Sequence, residues 1–356
     1  MSTLLVDAYG PSNSRSSSGG ESRIIRMGYG PDDLYSRSAI RSMHLWQQFF
    51  KRVNDLSLFK QTGVLWLAGQ NDNYCEATWN TLSKLGVDLE KLTRRDLRAR
   101  YPQYDFSDIE WGILELGSGA LMARRAVQTV AARTVQDGTH FLGECVLPFT
   151  ATGRLDSVKT GSGATIEAER FVFACGPWLG KLFPDILQQA IRVTRQEVYF
   201  FGIPPGDNRF GPEHSPIWID FNDLVYTFPN LEGRGFKLAI DAHGPDFDPD
   251  SGDRIVTEAG IESARAVLRR RIPDLAQAPV SETRVCQYEN TSNGDLLIDR
   301  HPTLENVWLV GGGSGHGFKH GPAVGEYLVS MISGEGTPEP RFALATKRTT
   351  HQREVF

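Results

Sequence analysis

The apolar and aromatic side chains of residues 35–55 recur at intervals of three and four positions. They are Ile40, Met43, Trp46, Phe49, Phe50 and Val53. This spacing predicts an amphipathic helix whose apolar stripe faces a core. Similar patterns predict helices at 73–85, 124–137 and 258–271. Another helix is predicted from Thr93, because Thr-x-x-Asp to Asp96 is typical of a capping box.

Clusters of β-branched and aromatic residues between turn-forming residues predict strands in the other segments. The predicted strands lie at 4–7, 140–142, 165–168, 170–174, 192–201, 217–220, 224–228, 236–240 and 280–288. The strands from 192 to 240 are separated by stretches that contain Pro and Gly. We therefore expect an antiparallel sheet in the middle of the chain.

A glycine-rich segment follows an apolar run near the C-terminus. Residues 307–310 are Val-Trp-Leu-Val, five of the next seven residues are glycine, and Val324, Leu328 and Ile332 then predict a helix. A strand, a glycine loop and a helix N-terminus form a common binding place for an anionic or extended cofactor. Lys319 is expected to add a cation at the mouth of this loop.

The first predicted strand ends in Asp7, and in dinucleotide folds such a carboxylate accepts a hydrogen bond from a ribose. The strand, GxGxxG turn and helix that ordinarily come before it are not found in these 356 residues. Residues 11–20 form a polar, glycine-ended stretch. Its composition suits either contacts to a phosphate or flavin or a disordered surface loop.

Composition limits the classes of function. A chain of 356 residues with 40% hydrophobic and 23% charged residues is long enough for two structural domains. The formal net charge of -5 gives no support for nucleic-acid binding. The apolar runs are far shorter than the roughly 20 residues that a membrane span needs. The sequence also shows no signal-peptide pattern and no SKL-type ending. We therefore expect a cytoplasmic protein that does not bind membranes.

Cysteines and arginines supply further candidate chemistry. The four cysteines form no CxxC pair, so we expect neither a metal site nor a disulfide framework, and each cysteine is expected to be a small buried residue. Arg23 and Arg26 are three positions apart. They could line one wall and bind a carboxylate, a ring or a phosphate, or they could be surface arginines. Cys286 ends a predicted strand and, taken alone, is typical of a buried residue without chemistry.

Nine short segments together carry a family resemblance. They are residues 6–9, 22–26, 62–65, 117–120, 174–178, 235–238, 286–288, 297–299 and 313–319. In this order they resemble the monomeric sarcosine oxidase and N-methyltryptophan oxidase family of FAD-dependent amine oxidases. The resemblance implies an α/β (α+β) fold, in which an FAD-binding dinucleotide domain carries an inserted antiparallel-sheet substrate domain. The implied boundaries are 1–58, 118–194 and 290–356 for the FAD-binding domain and 59–117 and 195–289 for the substrate domain.

The resemblance also implies roles for individual residues. Cys286 matches the cysteine that bonds covalently to the flavin ring, and Lys237 matches the lysine that promotes the reaction of reduced flavin with oxygen. Arg26 and Lys319 match the pair that holds the substrate carboxylate. The aromatic residues that line the substrate cavity are matched by Tyr226 and Tyr288. The positions expected along the cofactor are Asp7, Ser17, Ser18, Ser22, Arg23, Val146, Gly176, Trp178, Cys286, Gly313, Gly315, His316, Gly317, Phe318 and Lys319.

The implied reaction is oxidation of the C–N bond of a secondary amine or N-substituted amino acid, with molecular oxygen as acceptor and imine and hydrogen peroxide as products. We expect a monomer that takes a small amine or amino acid as substrate. Asp241 stands where sarcosine oxidase has a histidine, four residues after the lysine, so an acid that could hold a hydroxyl or cationic substrate group joins the predicted active site.

Three alternatives stay open at this point. The first alternative is a truncated remnant that binds FAD poorly and has no catalytic activity. It is considered because, without a GxGxxG unit, the FAD pyrophosphate lacks the helix N-terminus that ordinarily binds it. A flavin dehydrogenase that passes electrons to another acceptor would share almost all of these residues. A nicotinamide enzyme is the weakest alternative, because the sequence contains neither GxGxxG nor a nicotinamide-side signal.

Overall fold

The computed structural model describes residues 2–348, and within them the chain forms strands, α-helices and short 3-10 turns. The strands are β1 Leu4–Val6, β2 Arg23–Ile25, β3 Phe59–Lys60, β4 Val64–Ala68, β5 Leu89–Thr93, β6 Trp111–Glu115, β7 Gly119–Leu121, β8 His140–Leu142, β9 Ser157–Lys159, β10 Thr165–Glu167, β11 Phe171–Phe173, β12 Ile191–Phe201, β13 Ile217–Asp220, β14 Val225–Phe228, β15 Phe236–Ile240, β16 Val280–Thr291, β17 Leu297–Arg300 and β18 Val307–Gly311. The α-helices are α1 Asp33–Arg52, α2 Asn73–Lys84, α3 Arg94–Arg100, α4 Ala123–Gln136, α5 Leu179–Leu182, α6 Pro184–Leu187, α7 Glu258–Arg271 and α8 Gly321–Ser333.

The largest sheet has eight strands in the order β16-β12-β15-β14-β13-β4-β6-β5. Its neighbours are antiparallel except β13 and β4, which run parallel with Ile217 opposite Val64. The predicted antiparallel sheet in the middle of the chain is confirmed for β12, β13, β14 and β15. The parallel pairing with β4 was not predicted. The reason is topological, since β4 comes from a much earlier segment and no hairpin joins it to β13. All five residues of β4 are buried, as is typical of a strand covered on both faces.

The other described strands form four smaller sheets, one of which is the antiparallel pair of β9 and β10. The sheet with the strand order β2-β7-β3 is antiparallel throughout. In the sheet with the order β11-β18-β17, β11 and β18 run parallel, and β17 pairs antiparallel with β18. A parallel pair, β1 with β8, sets Leu4 opposite His140. Among the residues described here, β1 pairs only with β8 and β11 only with β18. Each therefore has one edge to which no described strand is added.

Helix α1 confirms the predicted amphipathic stripe. Met43, Trp46 and Phe50 are buried, and the indole of Trp46 stacks on Phe318 with ring centroids 6.0 Å apart. The Trp46 Nε1–H also donates to the backbone carbonyl of Lys319 at 3.2 Å. The helix thus fixes the end of the glycine-rich segment. The predicted capping box of α3 is present as well, between Thr93 and Asp96.

Two expectations about loops and cysteines have a clear outcome. Residues 11–20 form an ordered loop against β16, where the Ser17 hydroxyl donates to the carbonyl of Gln287 at 3.0 Å. The expectation of four buried cysteines was wrong for Cys175, which is half-buried, and for Cys145, which is exposed. This cysteine lies outside the cores, in an extended stretch whose carbonyl accepts from Gly161 N–H. Over residues 2–348, no helix has the length and apolar character of a membrane span, and no group of three or more His, Cys, Asp or Glu side chains could hold a metal.

Candidate active site

One cavity collects most of the predicted site residues. It lies between β2, the centre of β15, β16 and the segment after β18. Twelve of the predicted residues line it: Ser22, Arg23, Arg26, Tyr226, Lys237, Asp241, Cys286, Tyr288, Gly315, His316, Phe318 and Lys319. Residues distant in sequence therefore meet at one place, as the family resemblance implies.

The first charged group in the cavity surrounds Cys286. A guanidinium nitrogen of Arg23 lies 3.5 Å from its Sγ, and the same nitrogen donates to the carbonyl of Ser17. Gly20 makes room for this guanidinium, because a Cβ at that position would come within 2.3 Å of an Arg23 nitrogen. A fixed positive charge beside the sulfur stabilises negative charge on it.

Lys237 belongs to the same group. It is 3% exposed, and its Nζ donates to the carbonyl of Ser22 at 3.0 Å and to the hydroxyl of Ser22 at 3.2 Å. The ammonium also lies 4.0 Å above the ring of Phe228. Burial, and then the charge of Arg23, holds the pKa of Lys237 well below its usual value. The ammonium form of Lys237 is therefore costly unless negative charge develops nearby.

The second charged group contains Arg26 and Lys319. The Arg26 guanidinium lies 4.4 Å from the ring centre of Tyr29 and 4.9 Å from that of Trp66. The Lys319 Nζ donates to the hydroxyl of Tyr29 at 2.8 Å and to the carbonyl of His316 at 3.0 Å. Burial, followed by the charge of Arg26, keeps the pKa of Lys319 well below its usual value.

Lys319 is 5% exposed, so its expected place at the mouth of the glycine loop was wrong. Residues 317–320 coil into a 3-10 turn between β18 and α8, and this turn directs the lysine inward. Its side chain thus forms part of the buried wall of the cavity.

Glu115 supports the second group, and the sequence reasoning missed it. This fully buried carboxylate accepts from the backbone N–H groups of Met27 and Gly28 at 2.7 and 3.0 Å, and from Trp66 Nε1–H at 2.8 Å. It therefore fixes the turn that follows Arg26 and one of the rings beside the guanidinium. An acid at the end of an apolar strand, directly before a glycine-containing turn, was the available signal.

Asp241 and Tyr288 form the third feature of the cavity. The Tyr288 hydroxyl donates to a carboxylate oxygen of Asp241 at 2.6 Å. Burial raises the pKa of Asp241, although the Tyr288 hydrogen bond and the charges of Arg26 and Lys319 oppose the shift. Gly315 lies against this tyrosine with φ +80°, and a Cβ there would come within 2.7 Å of the ring. Glycine is therefore required where the loop passes Tyr288.

The other predicted cofactor residues lie outside this cavity. Asp7 ends β1, and its carboxylate accepts from the N–H of Tyr9 at 2.9 Å. The Ser18 hydroxyl contacts that of Ser16 at 3.4 Å, and Val146 forms a bridge with Thr160. These places do not line the cavity, so their predicted cofactor contacts stay predictions.

Gly176, Gly313, Gly317 and Trp178 are further predicted cofactor residues that lie outside the cavity. The Trp178 Nε1–H donates to Asp250 at 2.7 Å, from a 3-10 turn that begins at Gly176. Gly313 donates its N–H to Glu289 Oε1 at 3.3 Å, and Gly317 opens the 3-10 turn after the loop. Their predicted cofactor contacts likewise stay predictions.

Glu289 is the second residue that the sequence reasoning missed. Its Oε2 is buried and has no hydrogen-bond partner among the described residues. Burial raises the pKa of Glu289 to about 7. A Cβ added to Gly311 or Gly176 would lie only 3.5 or 3.7 Å from this oxygen, so the backbone of both glycines passes close to it. An acceptor left open among glycines suits a ligand that carries hydroxyl groups.

This cavity, in which basic side chains surround a thiol, a carboxyl group and two tyrosines, defines a site for a bound organic cofactor. The sequence profile of the DAO family, described as FAD dependent oxidoreductase, matches residues 1–331. The chain therefore belongs to this family and is an FAD-dependent oxidoreductase.

Among curated proteins, the peroxisomal sarcosine oxidase of Mus musculus is 31% identical over 340 residues, which cover 93% of this chain and 85% of that protein. The monomeric sarcosine oxidase of Bacillus sp. (strain NS-129) is 28% identical and covers 100% of this chain and 90% of that protein. The chain thus belongs to the sarcosine oxidase branch that the resemblance predicts. The L-proline dehydrogenase of P. horikoshii has the same fold, with a TM-score of 0.82 at 20% identity over 96% of this chain and 97% of that one.

Proposed function

We propose that this oxidoreductase oxidises the C–N bond of a secondary amine or N-substituted amino acid that carries a carboxylate. The observation that supports it best is the pair of separate buried cation groups in one cavity. Arg26 and Lys319 stand beside Asp241, whereas Arg23 and Lys237 stand beside Cys286. One group suits an anionic substrate and the other suits an electron-rich ring.

The described residues fit FAD at this place. Cys286 and Arg23 would hold the ring, and Cys286 would carry a covalent thioether to it. Glu289 would accept from hydroxyl groups of the chain that links ring and phosphate, and Asp7 would accept from the ribose. FAD, when bound, takes a hydride equivalent from the carbon next to nitrogen and passes two electrons to oxygen, so that imine and peroxide form. We further propose the domain division 1–58, 118–194 and 290–356 against 59–117 and 195–289, and a monomer.

The charge of Lys319 favours a carboxylate substrate. Burial and the neighbouring Arg26 hold the pKa of Lys319 well below its usual value, so an isolated ammonium is costly at this place. An incoming carboxylate reverses that balance, because opposite charge at short range favours the ammonium. Arg26 and Lys319 would then hold the two carboxylate oxygens, and the amine would bind in its neutral form without need of a protein base.

Lys237 supports oxygen as the electron acceptor. Its Nζ is held by Ser22 beside Phe228 and Arg23, away from the carboxylate-binding pair. Superoxide is the first product when oxygen takes one electron, and a nearby ammonium stabilises that charge as it develops. A dehydrogenase would have no use for this interaction.

The test combines peroxide release with anaerobic reduction. We expect purified protein with FAD to release peroxide under air with N-methyl amino acids, and the flavin to be bleached by the same substrates without oxygen. Lys237→Met is expected to lower the rate with oxygen by about 10²-fold or more while anaerobic bleaching continues. Lys159→Met, at an exposed site of β9, is the matched control. Flavin that no secondary amine bleaches would contradict the proposal.

A further inference from the structure

We propose that Tyr29, His320 and Ser38 form a proton path from Lys319 in the cavity to the half-buried side of α1 at Ser38. This proposal rests on the proposed function in one respect, because it assumes that an anion binds at Lys319. It assigns a new role to three residues that lie outside the predicted site. None of the three would touch the reacting atoms, so they are positioning residues for a proton.

An unbroken series of short contacts joins the two ends. The Lys319 Nζ is 2.8 Å from the Tyr29 hydroxyl, and this hydroxyl is 2.7 Å from Nε2 of His320. On the other side of the imidazole, Nδ1 is 2.9 Å from the hydroxyl of Ser38. Lys319 and His320 are buried, whereas Ser38 on α1 is only half-buried. The path therefore leads from the buried wall to a place that water can reach.

The Tyr29 hydroxyl also lies 3.2 Å from Nδ1 of His316, so the path has a possible branch. Nε2 of His316 lies 3.2 Å from the carbonyl of Gly294, which can only accept. This nitrogen must therefore carry a proton, and His316 is fixed in one tautomer when neutral. The contact to His320 is shorter by half an ångström, and this imidazole has a hydroxyl as its second partner. The path consequently runs through His320.

The charge of Lys319 sets the direction of every hydrogen bond. When Lys319 is an ammonium it donates to Tyr29, Tyr29 donates to Nε2 of His320, and Nδ1–H donates to Ser38. When Lys319 is a neutral amine its lone pair accepts from Tyr29, Nε2–H donates to Tyr29, and Ser38 donates to Nδ1. The distances suit both directions, because each hydroxyl both donates and accepts.

The protons are conserved when Lys319 is protonated through this path. One proton enters from water at the Ser38 hydroxyl, one proton moves across each link, and one proton arrives at Nζ. No electrons move, and His320 changes from the Nε2–H to the Nδ1–H tautomer. The surroundings hold His320 neutral at both ends of the step, since burial and then Lys319 and His316 keep its pKa well below the usual value.

Charged groups around the path agree with this reading. The groups that face Lys319, His320 or Tyr29 are Arg26, Asp32, Tyr74, Glu115, Asp241 and His316. Arg26 faces all three, and its positive charge opposes a second proton in the cavity until an anion arrives. A carboxylate supplies that anion, so we expect its binding to be coupled to proton uptake along the path.

The experiment uses the whole chain labelled with ¹⁵N-histidine, with acetate as the carboxylate probe. Nuclear magnetic resonance reads the His320 tautomer, and a pH indicator in stopped flow reads the rate of proton uptake. In the natural chain we expect acetate to convert His320 from Nε2–H to Nδ1–H. We expect Tyr29→Phe to slow proton uptake by about tenfold or more, with little change in the acetate affinity.

Tyr35→Phe is the matched control. The Tyr35 ring lies 5.5 Å from that of His320, and its hydroxyl accepts from the N–H of Leu296, away from the path. We expect this variant to take up protons at the natural rate. Equal rates in the natural chain and in Tyr29→Phe would overturn the path.

A pH titration of the natural chain without acetate keeps the test independent of folding defects in the variants. The His320 tautomer should change together with the protonation of Lys319. A tautomer that stays constant through that titration would overturn the path, whatever acetate does. Acetate that fails to bind would instead contradict the carboxylate site of the proposed function, while a coupled titration would still support the path.

Discussion

The cavity at Cys286 differs in what it buries from three other elements, β1, β11 and α8, which together we call the edge. In the cavity, Lys237 and Lys319 are at most 5% exposed. At the edge, Leu4 and Val172 are each 42% exposed, and no residue of α8 is buried. Charged side chains are thus buried in the cavity, whereas apolar side chains are exposed at the edge. This is the reverse of the usual distribution.

The contrast separates two parts of cofactor binding. The cavity already brings together the basic side chains, Asp241 and Cys286 that a ring and a carboxylate would contact. The edge offers Asp7 for a ribose, but the described residues add no strand to β1 or β11 beyond β8 and β18.

The largest effect is expected from removing the carboxylate-binding pair. Each charge-assisted hydrogen bond contributes about 1.5–3 kcal/mol, so Arg26→Ala with Lys319→Ala should weaken binding of an N-methyl amino acid by about 10²–10⁴-fold. The corresponding amine without a carboxylate is the control, and its affinity should change much less. Titration of the flavin absorbance measures both, and an unchanged affinity for the amino acid would refute the carboxylate site.

An intermediate effect is expected at Glu289, which lies beside the glycine loop. Its pKa is raised from 4.5 to about 7. The folded protein therefore holds a proton that the unfolded chain releases, and this stabilisation is complete below pH 4.5 and is lost as the pH rises through about 7. Its size is at most about 3 kcal/mol.

Urea unfolding at several pH values tests this, with Glu289→Gln as the variant. Between pH 4.5 and 7 the free energy of unfolding of the natural chain should fall relative to that of the variant. Parallel curves for the two proteins would show that this carboxyl titrates normally.

The smallest effect is expected at the edge. Fusing the GxGxxG-bearing strand and helix of a relative ahead of residue 1 would offer β1 a neighbour and the pyrophosphate a helix N-terminus. We expect the FAD affinity to rise by about tenfold or more. The same fusion with its three glycines changed to alanine is the control. An FAD affinity that the fusion leaves unchanged would mean that the edge takes no part in binding.

Local features of the fold could be predicted well from sequence. The stripe of Met43, Trp46 and Phe50 and the capping box at Thr93 depend on spacing within one segment, and both are present. The parallel pairing of β4 with β13 could not be predicted in this way. It joins segments about 150 residues apart, and nothing in either apolar run specifies the partner.

The candidate site divides along the same line. Cys286, Lys237 and Arg26 could be named because short motifs carry the family resemblance. Glu115 and His320 could not, since their importance lies in contacts across the fold to Met27 and Tyr29. A buried acid or imidazole in an apolar segment is ambiguous until its partners are known.

The most direct test of the account is to locate the flavin. Protein purified with FAD is precipitated with acid, digested, and searched by mass spectrometry for a flavin-bearing peptide, with Cys286→Ser as control. The account predicts flavin that stays with the precipitate on the peptide containing Cys286, and flavin released from the variant. Flavin released from the natural chain, or found on Cys175 or Cys145, would contradict the placement of the ring in this cavity.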